Sequence, residues 1–182
     1  MHRKPLIIRG ARQVGKTWLV EEFAKQDFKH FASINFLYNE AIQQLFSGSL
    51  EPKRILTALG AYTNTNLFDG KTLLFLDEIQ ECPRAITSLK MLCEQTPHIP
   101  VIAAGSLLGV ALNRENNAGS DTRISWPVGK VNYLDLFPMT FSEFLRALGK
   151  DRLADLITQK DYELMHVMSE SFEDALRSYL YV

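Results

Sequence analysis

Gly10, Gly15, Lys16 and Thr17 stand in the spacing G-x-x-x-x-G-K-T, directly behind the apolar run Leu6-Ile7-Ile8. Glycines let main-chain N–H groups turn inward around an anion, and a helix that starts at the lysine aims its positive end at the same point. The pattern predicts a phosphate cradle running from Gly10 through Ala11, Arg12, Gln13, Val14 and Gly15 to Lys16, Thr17 and Trp18. Lys16, on a solvent-facing loop, would reach the β and γ phosphates of a nucleotide, and the Thr17 hydroxyl would ligate Mg2+. The competing explanation is a glycine turn with a solvated lysine; a strand before the motif and a helix after it speak against that.

A loop alone does not say whether anything is hydrolysed. Leu73-Leu74-Phe75-Leu76 followed by Asp77-Glu78 supplies a second half: an apolar strand that delivers two carboxylates at its C-terminal end, the edge where open parallel sheets bind ligands. Asp77 would hold the magnesium, and Glu78 would orient or deprotonate an attacking water. Gly105-Ser106 follows another apolar run, Val101 to Ala104. Ser106 has two readings, a sensor that bonds the γ phosphate or the water, and an N-cap for a helix over Leu107 to Leu112. Arg9, Arg12, Arg114 and Arg123 are candidates for stabilising charge on a transferred phosphoryl group, each weighed against an ordinary solvated arginine.

These residues need a scaffold. The pattern predicts a first strand over Leu6 to Arg9 and a helix over Lys16 to Lys25 that buries Leu19, Val20 and Phe23. A second strand follows over Phe31 to Phe36, then helices near Glu40 to Phe46 and Pro52 to Tyr62. Thr72 to Leu76 and Val101 to Ala104 read as strands buried on both faces, with a helix between them that opens at Pro83 and carries Ile86, Leu89, Leu92 and Cys93. Asn113 to Arg123 is polar and without periodicity, a loop. Val131 to Phe137 alternates and reads as a last strand. Thr140 with Glu143 forms a capping box, and helical patterns run from Arg152 to Ile157, from Tyr162 to Met168 and from Phe172 onward. Strands alternating with helices predict an α/β fold: three layers, a central, mostly parallel sheet, and right-handed crossovers. The expected division is a P-loop domain over 1–138 and a helical segment over 139–182, the start of a region that continues beyond Val182.

Composition sets the frame. The chain has 182 residues, 46% of them hydrophobic, which suits one domain of ordinary size plus a modest appendage. Twenty Lys and Arg against 21 Asp and Glu leave a net charge of −1, with no general attraction to nucleic acid or membrane. The longest uncharged apolar run, Pro100 to Leu112, is well short of the roughly 20 residues of a membrane span, so a cytoplasmic protein without membrane contact is expected. Cys82 and Cys93 fit a reducing compartment and read as small packed residues, not as zinc ligands.

Taken in order, Lys4 to Thr17, Leu76-Asp77-Glu78-Ile79-Gln80, Gly105-Ser106, Val128-Gly129 and Leu136 to Leu145 give a chain that resembles the prokaryotic AAA-type ATPases carrying a C-terminal domain of unknown function. The resemblance covers nearly the whole chain. It implies an ATPase of the additional-strand, catalytic-glutamate class, with one other strand between the loop strand and the Asp77 strand. ATP and Mg2+ are the implied cofactors. Many relatives carry arginine where this chain has Lys130, which would sense nucleotide only as a point charge. AAA-type relatives often assemble as rings, so a homo-oligomer, and a protein or DNA partner reached through the C-terminal region, are the implied associations. Mg-dependent ATP hydrolysis driving a conformational change is the leading expectation. A nucleotide-dependent binding switch with little turnover is the alternative, and a small-molecule kinase is weaker because no Arg-rich lid appears.

Overall fold

A computed structural model describes residues 3–106 and 126–181, which divide into a unit ending at Leu136 and a unit from Phe137 onward. The first unit is a five-stranded, all-parallel sheet in the order β2-β3-β4-β1-β5. Its strands are β1 (Leu6–Gly10), β2 (His30–Asn35), β3 (Thr72–Asp77), β4 (Val101–Ser106) and β5 (Asn132–Asp135). The helices between them are α1 (Lys16–Asp27), α2 (Glu40–Ser47), α3 (Pro52–Thr63) and α4 (Pro83–Gln95). Alternation along β3 explains the three layers. Leu74 and Leu76 join the core with Ile7, Ile34, Phe46, Leu56, Leu59 and Leu89, residues drawn from β1, β2, α2, α3 and α4. Leu73 and Phe75 point the other way, to Ile8, Ile102 and the α1 residues Val20 and Ala24. The strand is buried throughout, as a continuous apolar run in a parallel sheet must be.

Two expectations are corrected here. The apolar stripe of α1 is Val20 and Ala24, whereas Leu19 is half-buried and Phe23 is 43% exposed. One turn of helix separates the buried positions, so the stripe is narrow and turns Phe23 to its flank, where it meets Phe28 edge-on at 5.6 Å. The last strand is also shorter than Val131 to Phe137, and all four of its residues are exposed. Among the described residues it is an edge strand paired with β1 alone, so its alternation marks no buried face.

The chain leaving β5 crosses close over the end of β1. The Leu136 N–H donates to the Arg9 carbonyl at 2.7 Å, and a Cβ on Gly10 would lie 2.2 Å from the Leu136 carbonyl oxygen. Glycine is required there by contact with backbone, not by its dihedral angles. Gly10→Ala is therefore expected to cost about 1–3 kcal/mol, the range for forced overpacking. A denaturant titration of the variant against wild type measures it, and an unchanged midpoint would contradict this close approach.

The second unit holds α5 (Phe141–Ala147), α6 (Asp151–Gln159), α7 (Tyr162–Val167) and α8 (Ser169–Leu180). The expected capping box is present: the Thr140 hydroxyl accepts from the Glu143 N–H while the Glu143 carboxylate accepts from the Thr140 N–H. Leu145, Ala154 and Ala175 form its small core. Among the described residues no helix is long and apolar enough to cross a membrane.

Candidate functional site

The residues between β1 and α1 form the loop that the motif predicts. Gln13 and Gly15 both take left-handed backbone conformations, with φ of 64° and 89°. Such turns point successive amides to one side, which makes an anion-binding concavity. Gly15 is the N-cap of α1 and offers no side-chain acceptor, and the first turn carries no acid. The opening N–H groups of α1 are thus left for an external anion, and the helix dipole adds positive potential at the same end. Lys16, expected to face solvent, is only 7% exposed. Its ammonium folds back to donate to the carbonyls of Ala11 at 2.6 Å and Gly10 at 3.2 Å. Trp18 is 65% exposed near the start of the helix.

Asp77 ends β3 with 5% exposure and is the most heavily bonded side chain at this edge. Its Oδ2 accepts from the Thr17 hydroxyl at 3.0 Å and from the Asn35 amide at 3.4 Å. Its Oδ1 accepts from the Glu78 N–H at 3.0 Å. Burial raises the Asp77 pKa above the ordinary carboxylate value, and the bonds from Thr17 and the Glu78 N–H oppose that shift in part. The sign follows by linkage. The unfolded chain ionises Asp77 near its ordinary value while the folded chain resists until higher pH, so stability is lost as pH rises through that interval. Asp77→Asn removes the titration, so its Tm is expected to gain on wild type as pH is raised from about 4, in magnesium-free buffer. Paired thermal melts across pH check this, and a constant difference would contradict it.

Glu78 adopts the left-handed conformation, φ 50° and ψ 44°, and begins the short 3-10 turn Ile79–Glu81. The turn brings the Gln80 amide back to donate to Glu78 Oε2. Ser106, the last residue of β4, is 4% exposed and stands opposite Gly10 in register. The loop, Thr17, Asp77, Glu78 and Ser106 therefore share the C-terminal edge of the sheet.

The arginine and lysine candidates fare differently. Arg9 donates twice to Asp135 at 2.8 Å and its guanidinium lies 4.6 Å over the Tyr133 ring, so it is engaged with the edge strand. Lys130 pairs with Glu94 at 2.9 Å. Arg12 is exposed on the loop. Arg114, Arg123 and the segment Leu107 to Leu112 lie outside the described residues. Two further residues at this edge have no role that the sequence assigns, although Gln80 ends the motif Leu76-Asp77-Glu78-Ile79-Gln80. Asn35 looks like any polar position of an alternating strand, and only its register opposite Asp77 reveals it. Gln80 follows the carboxylate pair by two positions and shows its use only through the turn at Glu78.

The donor set fits a nucleotide phosphate and a hard cation. The left-handed turns at Gln13 and Gly15, an uncapped helix start and a buried ammonium suit the anion. The hydroxyl of Thr17 and the carboxylate of Asp77 are adjacent oxygen donors of the kind magnesium takes, and a cation there would offset the burial cost of Asp77.

Comparisons with known proteins agree with the fold. Among solved structures, the Walker-type ATPase of Pyrococcus abyssi is similar over 98% of this chain and 67% of its own, with a TM-score of 0.50 and 15% identity, a likeness of fold alone. No curated protein matches the chain. A family model described as an AAA domain matches residues 2–145, which supports nucleotide binding: the chain belongs to the AAA domain family.

Proposed function

We propose that the protein binds ATP with Mg2+ and hydrolyses it. The observation that carries this reading is the 3.0 Å bond from Thr17 to Asp77, which joins the phosphate loop to the carboxylate strand across 60 residues of sequence. Membership in the AAA domain family supports it independently. Amides of Gly10 to Trp18 receive the phosphates, Lys16 exchanges its loop carbonyls for phosphate oxygens, and Thr17 with Asp77 holds the metal. The bound cation supplies Lewis-acid neutralisation of phosphate charge. Glu78 takes the proton of the attacking water, and Ser106 bonds the terminal phosphate or that water. Hydrolysis drives a conformational change read by the region that follows the ATPase domain, where a protein or DNA partner is engaged.

Calorimetric titration of the protein with ATP, with and without Mg2+, combined with phosphate release into water without any added acceptor, tests the reading. Metal-dependent binding and release are expected. No heat of binding under either condition would overturn it. Tight binding without release would leave the nucleotide-dependent binding switch in its place.

A further inference from the structure

Glu78 does not stand alone. Its Oε2 accepts from the Gln80 amide, and Oε1 makes no hydrogen bond among the described residues. The orientation of the amide is fixed by chemistry, because its nitrogen also lies 3.4 Å from Glu81 Oε1 and an oxygen turned to two carboxylates would be repelled. The consequence is costly. Gln80 Oε1 is then buried with no hydrogen-bond partner, the one such side-chain atom among the described residues. A buried acceptor left unpaired destabilises a fold, and an apolar side chain of similar length would avoid it. Among the described residues the amide donates only to the carboxylates of Glu78 and Glu81, so it serves the carboxylate. A local feature kept at the expense of stability is characteristic of functional sites.

We propose that Gln80 is a positioning residue for Glu78. Its amide pins one carboxylate oxygen and holds the rotamer, so that the other oxygen is presented to the attacking water. This rests on the reading of Glu78 as the water-activating group, and it assigns Gln80 no contact with nucleotide or metal. The left-handed backbone at Glu78 is what makes the contact: it turns the chain so that side chains two apart reach each other.

The test uses Gln80→Met in the full chain, with Glu78→Gln and the double variant. In Gln80→Met, kcat for ATP is expected to fall about 10- to 100-fold, the scale of a misplaced catalytic group, while KM and analogue affinity stay unchanged. Tm is expected to stay level or rise, because the unpaired acceptor is gone; a merely structural role would lower it. Adding Gln80→Met to Glu78→Gln should cause no further loss. If the methionine variant does not fold, Gln80→Glu keeps the volume and sets an acceptor against Glu78, and the same loss of kcat is expected. Wild-type kcat in either variant, a rise in KM with a fall in Tm, or an equal loss in the Glu78→Gln background would overturn the proposal. Should Glu78→Gln itself turn over like wild type, the reading of Glu78 falls first and takes this one with it, which separates the two failures.

Discussion

Glu78→Gln is expected to reduce phosphate release by about 10²- to 10⁴-fold, the contribution of a positioned general base, with ATP affinity unchanged. The substitution keeps the side-chain volume and an oxygen that can still accept from Gln80, so the turn over Ile79–Glu81 should persist. What it removes is the charge that draws a proton from water. Asp77, Thr17 and the loop, which would carry the binding energy, are untouched. Steady-state phosphate release and calorimetry, run on the same preparation, separate the two effects. Rates equal within error would remove Glu78 from the reaction, and equal loss of rate and affinity would place it in binding instead.

Lys16→Ala is expected to weaken ATP binding by about 100-fold or more, since each charge-assisted bond it would make to phosphate contributes roughly 1.5–3 kcal/mol. Stability should change far less. The lysine is 7% exposed, but its burial comes from donating to the carbonyls of Gly10 and Ala11 at the mouth of the loop, and exposed Ala11 lets water replace it. Calorimetric titration with Mg-ATP, set beside a thermal melt, checks both halves. An affinity within error of wild type would mean that the amides of the loop hold the anion without its charge.

Much of the fold and half of the site are legible in the sequence because they are written locally. The glycine spacing before Lys16, the apolar run into Asp77 and the capping box at Thr140 each depend on a few adjacent residues, and the structure has all three elements in place. Burial is less local. Phe23 sits at helical spacing from Val20 and still faces outward, because the width of the buried stripe depends on how α1 lies against the sheet. The extent of β5 is not legible because alternation on a strand with one neighbour reports no core. The roles of Asn35 and Gln80 are not legible for a different reason. One acts through register with a strand 42 residues away, the other through a left-handed residue that no glycine announces.

The strand order has a geometric corollary. Because β4 runs between β1 and β3, the ends of the loop strand and the carboxylate strand are held two strand spacings apart, roughly 9–10 Å. Were they adjacent, the gap would halve, to about 5 Å. The sheet thus acts as a calliper: its middle strand sets the width of the slot, and side chains need only trim what the backbone has already measured.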